Sequence, residues 1–85
     1  MTTKNEKTYF EQRKEYVCII KKILSKREIQ VLKLISEGKS NSKIAKILGI
    51  SQNTVKAHTI KIYEKLCVKD RVQAAVKAIQ LEITE

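Results

Sequence analysis

Four helix starts and two glycines divide this 85-residue chain so closely that little except a set of short helices can be built from it. "SKRE" places Ser25 as an N-cap with Glu28 three residues on. In this capping box each side chain satisfies a backbone N–H that the first helical turn leaves free. Ser40 and Ser51 stand in the same position before two further runs, and "DRVQ" repeats the box with Asp70 and Gln73. Gly38 and Gly49 sit where two of the runs should end, and there is no proline to interrupt any of them.

Between these marks the apolar residues recur at helical spacing. Ile29, Leu32 and Ile35, with Val31 and Leu34 beside them, give the first predicted helix one apolar face. Ile44, Ala45 and Leu48 do the same for the second. Val55, Thr59, Ile62 and Leu66 form the stripe of the third, and Val72, Ala75, Val76 and Ile79 are expected to seal the core from the fourth. No stretch alternates with a period of two, so residues 24–82 are expected to be all-α. Residues 1–23 form an N-terminal extension whose apolar residues suit an additional helix from about Tyr9 to Lys22, with Met1 to Lys7 frayed. "YVCII" alone would equally suit a short strand.

Composition narrows the function. Cys18 and Cys67 lie far apart with no second Cys or paired His near either, so they are expected to be reduced, partly buried thiols rather than metal ligands. The apolar run Tyr16–Ile20 is too short to span a bilayer and lacks a cleavage site after it, so a cytoplasmic location and no membrane partner are expected. Net charge is +9, unevenly spread: +3 over residues 1–24, +4 over 25–50, +3 over 51–69 and −1 over 70–85. A basic body with one non-basic end suggests a polyanion-facing surface and an end kept for another contact.

The connection between the second and third helices is the most specific feature. Gly49-Ile50-Ser51 is so short that the helices must cross steeply and touch. Ala45 is small enough for the crossing, Gly49 tolerates the reversal, Ile50 plugs the turn from below and Val55 anchors the third helix. These are the four positions that a DNA-binding helix–turn–helix constrains, here over about residues 41–61.

Residues 24–74 resemble the LuxR-type (GerE/NarL-like) helix–turn–helix domain. The matching elements are "LSKRE", "EGKSN", "KIAKILGIS", "TVKAH", Lys65-Leu66 and "RVQA", in the family's order. The resemblance implies a four-helix domain over residues 24–85 that binds DNA as a dimer and regulates transcription in bacteria, in the manner of a stand-alone GerE-like regulator. Thr59 departs from the pattern where an aliphatic residue is usual, and Cys67 replaces a common glycine. Eighty-five residues leave no room for a receiver domain, so control is expected from expression level, the N-terminal segment or a partner, with RNA polymerase or a separate regulator as further candidates.

The outer face of the third helix (about residues 52–66) then has a partner, since a major groove admits an α-helix. Asn53 and Lys56 are expected to meet base edges, and Ala57 and Ile60 to pack on thymine methyls. Ser42, Lys43, Thr54, Lys61 and Lys65 are assigned to phosphates; by resemblance Thr54, Lys56 and Lys65 match positions used against DNA. His58, half-buried by its place on the helix, has no companions for catalysis or metal binding and reads as structural. No phosphate-cradling loop and no converging catalytic set is visible, so neither an enzyme nor a cofactor is expected. Ala74, Ala78 and Leu81 form a second stripe on the fourth helix and are assigned to a homodimer contact, which would place half-sites about one DNA turn (roughly 10 bp) apart. The alternative is a helical protein-interaction module that contacts the transcription machinery without reading DNA.

Overall fold

A computed structural model describes residues 18–81. It contains five helical segments and no strand among the described residues: α1 over residues 18–23, α2 over Lys26–Ser36, α3 over Asn41–Leu48, α4 over Gln52–Leu66 and α5 over Arg71–Gln80. The all-α expectation is met. Helix is also found at the end of the N-terminal extension; the rest of the expected Tyr9–Lys22 helix and the frayed start lie outside the described residues.

Each predicted cap forms. Glu28 N–H donates to Ser25 Oγ at 3.0 Å while Ser25 N–H donates to Glu28 Oε1 at 2.9 Å, the complete capping box. Lys43 N–H donates to Ser40 Oγ, Thr54 N–H to Ser51 Oγ and Gln73 N–H to Asp70 Oδ1. The second box differs in one bond: Gln73 Oε1 accepts from Lys69 N–H, one residue before the cap, rather than from Asp70. With its backbone at φ −150°, Asp70 is fully extended, and its neighbour becomes the donor that Gln73 meets.

The core collects Ile20 and Leu24 from the α1 end, Val31, Leu32 and Ile35 from α2, Ile44 and Ala45 from α3, Val55, Ile62 and Leu66 from α4, and Ala74, Ala78 and Leu81 from α5. α2 packs on both α4 and α5, and α3 packs on α4. Thr59 is buried in the α4 stripe, and its hydroxyl donates to Lys56 O at 2.7 Å. A polar atom at a usually aliphatic place is thus satisfied within its own helix.

The assignment of faces on α5 is corrected. Ala74, Ala78 and Leu81, expected at a dimer contact, are core residues, exposed by 0%, 0% and 2%, whereas Val72, Val76 and Ile79, expected in the core, are exposed by 72%, 49% and 59%. Both stripes are apolar, so hydrophobicity alone does not choose between them. α5 lies against α2 and α4 through its small residues; turning valines and isoleucine into the same space would overpack it.

For the cysteines, expected as reduced and partly buried thiols, the burial is corrected. Both Cys18 and Cys67 are exposed free thiols. Cys67 ends α4 in the left-handed region, φ 56° and ψ 44°, the one non-glycine residue with positive φ among those described. Its Cβ carries a steric cost of about 1–2 kcal/mol there. Cys67→Gly is therefore expected to stabilise the domain by about 1 kcal/mol, read as a higher midpoint in urea denaturation followed by circular dichroism. An unchanged or lower midpoint would contradict this.

Candidate nucleic-acid interface

The turn between α3 and α4 fixes the site. Gly49 closes α3 in the left-handed region at φ 68°, and Ile50 N–H donates back to Ala45 O at 3.0 Å. A Cβ on Gly49 would meet nothing within 4 Å, so the backbone angle, not lack of space, calls for glycine. Ser51 then resumes extended geometry and caps α4, its Oγ also 2.9 Å from Thr54 Oγ1. Ala45 is 7% exposed and Val55 fully buried, and half-buried Ile50 packs on the core beneath the turn.

With Val55, Thr59, Ile62 and Leu66 turned inward, the opposite side of α4 is left clear. Asn53, Lys56, Ala57, Ile60 and Lys61 are all exposed along it, Ile60 by 52%. Glu64 is exposed one turn beyond Ile60. Its negative charge ends the cationic stretch of this side at Lys61. Ser42, Lys43 and Thr54 are exposed at the starts of α3 and α4, where the helix dipoles favour anions. His58 is half-buried at the edge of this face.

Lys65 is used differently from its sequence assignment. Its Nζ donates to Glu28 Oε1 at 2.8 Å and to Ile23 O at 2.9 Å, tying the end of α4 to the α1–α2 junction. The side chain is 36% exposed and its partner's 5%. Burial disfavours the charged form of Glu28, but hydrogen bonds from Lys65 and from Ser25 N–H, with the nearby charges of Lys65 and His58, outweigh it and hold the carboxyl below its ordinary value. Lys65 is therefore engaged in a structural ion pair, a role that its sequence assignment to phosphate did not include.

Arg71 also has a role the sequence did not disclose. Its Nη1 donates to Asn41 Oδ1 at 2.9 Å and its Nη2 to Lys39 O, so the first residue of α5 holds the first turn of α3. That turn carries Ser42 and Lys43. No local signal could have found either Arg71 or the Glu28–Lys65 pair, since both join residues far apart in sequence.

Two capped helices joined by a three-residue turn, the second with one polar and basic face left uncovered, define a helix–turn–helix domain. Comparison with known proteins agrees: residues 22–78 match the family described as bacterial regulatory proteins, luxR family. The chain belongs to the LuxR family. It is 53% identical over 55 residues to the transcriptional regulatory protein LiaR of Bacillus subtilis, a stretch covering 65% of this chain and 26% of the relative. It is 47% identical over 58 residues to DegU of Brevibacillus brevis, covering 68% of this chain and 25% of that protein. The nitrate/nitrite response regulator protein NarP of Escherichia coli is 41% identical over 58 residues, with 68% and 27% covered. The chain thus spans about a quarter of the length that each of these relatives has, in the part that matches. No helix among the described residues is long and apolar enough to cross a membrane.

Proposed function

We propose that this protein is a sequence-specific transcriptional regulator that binds duplex DNA as a homodimer in the cytoplasm, inserting α4 into the major groove. The observation that carries the reading is the uncovered side of α4, where Asn53, Lys56, Ala57 and Ile60 stand clear of the core above a rigid turn. Asn53 and Lys56 offer hydrogen bonds to base edges, and Ala57 and Ile60 offer apolar contact to thymine methyls. Ser42, Lys43, Thr54 and Lys61 would neutralise phosphates on either side and set the register. The regulators it resembles support a role in transcription.

The test is direct. Gel shifts against a random duplex at low salt should show binding, and selection from a randomised pool should enrich a two-fold symmetric site. The competing reading, a module that contacts RNA polymerase or another regulator, would instead use the shallow apolar groove of Leu34, Ile47 and Leu48 between α2 and α3. No binding to any duplex would leave that reading standing and remove ours.

Dimerisation is assigned to α5 through Val72, Val76 and Ile79, which follow one another at i, i+4 and i+7 and are all exposed. Val76→Asp should place a charge in the middle of that contact without disturbing the core. Affinity for a two-half-site duplex should fall at least about tenfold, the loss expected when the second half-site no longer binds intramolecularly, while affinity for a single half-site is kept. Equal loss on both duplexes would argue against the dimer contact.

A further inference from the structure

The helix–turn–helix accounts for Lys43 at the start of α3 and for Lys56 and Lys61 along α4, but a separate basic patch remains. Residues 18–27 contain Lys21, Lys22, Lys26 and Arg27 and no carboxylate. The three lysines are exposed, on α1 and at the first turn of α2, and Arg27 is half-buried. Glu28, the next acidic residue, is buried and already paired with Lys65, so it does not neutralise the patch.

The position of this patch relative to α4 is fixed by that same pair. Lys65 reaches both Ile23 O and Glu28, so the α1–α2 junction lies along the flank of α4 that carries Lys65. At about 100° per residue, Lys65 and His58 share a stripe roughly 80–100° round from Ala57, and Lys61 lies between them and the reading face. A helix seated in a major groove has a row of phosphates along each side. The junction stands on the Lys65–His58 side of α4, the side toward which Lys61 also turns.

We propose that Lys21, Lys22 and Lys26 contact the DNA phosphate backbone along that groove wall, forming a second electrostatic clamp besides the starts of α3 and α4. This rests on the major-groove reading of α4. Lys21 lies just before the matched family segment and Lys22 and Lys26 lie within it. Phosphate contacts carry no sequence information but release counterions, each contributing about −0.9 to the slope of log affinity against log salt.

The experiment compares the full chain with a Lys21→Ala, Lys22→Ala, Lys26→Ala variant on two duplexes: one selected from a random pool by the wild type, and a scrambled one. A Lys33→Ala, Lys77→Ala variant controls for loss of net charge. The exposed lysines of the patch make no core contact, and circular dichroism checks that each variant is folded. The slope of the patch variant should become shallower by about 2.7 if all three lysines contribute. The ratio of selected to scrambled affinity should stay as in the wild type, and the control slope should shift by less than about half a contact. A slope equal to wild type, or a change no larger per charge than the control's, overturns the clamp. Lost discrimination between duplexes overturns it as well, since the lysines would then be reading bases. A wild type that selects a duplex while the patch variant keeps its slope removes only this inference, whereas a wild type that binds no duplex removes the groove reading with it.

Discussion

Lys65→Ala should lower stability by about 2 kcal/mol, and Glu28→Gln by about half that. Removing the lysine leaves a carboxylate that is 5% exposed without its counter-charge. Breaking a buried pair from one side costs about 3–5 kcal/mol when both partners are dry. Lys65 is 36% exposed, so solvent already screens part of the interaction and the figure is reduced accordingly. Glutamine at position 28 keeps an oxygen for Ser25 N–H and for Lys65, so the capping box survives and only the charge is lost.

The same pair sets an acid response. Glu28 is held below its ordinary value, so its stabilising contribution is fully present above about pH 4.5 and is lost as the pH falls through the depressed folded value. The stability gap between wild type and Glu28→Gln should therefore be widest near neutrality and shrink in acid. In Lys65→Ala the carboxyl loses its strongest supports, and its protonation should begin at higher pH. Urea denaturation at neutral and acid pH, followed by circular dichroism because the chain has no tryptophan, measures both. If Lys65→Ala left stability unchanged but reduced the salt slope of DNA binding by about one contact, the lysine would be a phosphate ligand after all.

Asn53→Ala and Lys56→Ala should each relax sequence preference by about 1–3 kcal/mol at the base pair they meet, the worth of one good base contact. Both side chains are exposed and make none of the core contacts that hold α4, so folding should be unaffected. Asn53→Ala should leave the salt slope as it is, while Lys56→Ala reduces it only if that lysine also spans to a phosphate. Selection from a randomised pool with each variant reads the effect as a position that becomes degenerate. Two variants that keep the wild-type preference would sink the assignment of α4 as the reading helix. Base contacts change which duplex is chosen, whereas phosphate contacts such as those of the α1–α2 patch change how salt weakens all of them.

The local grammar of this chain was legible without coordinates. Ser25, Ser40, Ser51 and Asp70 each cap the helix they precede, because a cap is a bond between residues three apart and needs no tertiary partner. Gly49 and the stripe of Val55, Thr59, Ile62 and Leu66 were equally readable, since backbone sterics and helical periodicity are properties of short segments. The candidate face of α4 follows as what that stripe leaves outside.

Three features were decided only when the helices met. α5 has two apolar faces, and the space beside α2 and α4 admits the alanines rather than the valines. Lys65 reads in the sequence as a phosphate contact, and only the fold brings it to Glu28, far away in the chain. Arg71 likewise acquires its role from Asn41 and Lys39. Capping and periodicity act over one or two turns, and the sequence by itself determined four helix starts and two stops on those terms. Burial of one apolar face over another and pairing of distant charges depend on the distance between helix axes, which the sequence sets only through the whole packed fold.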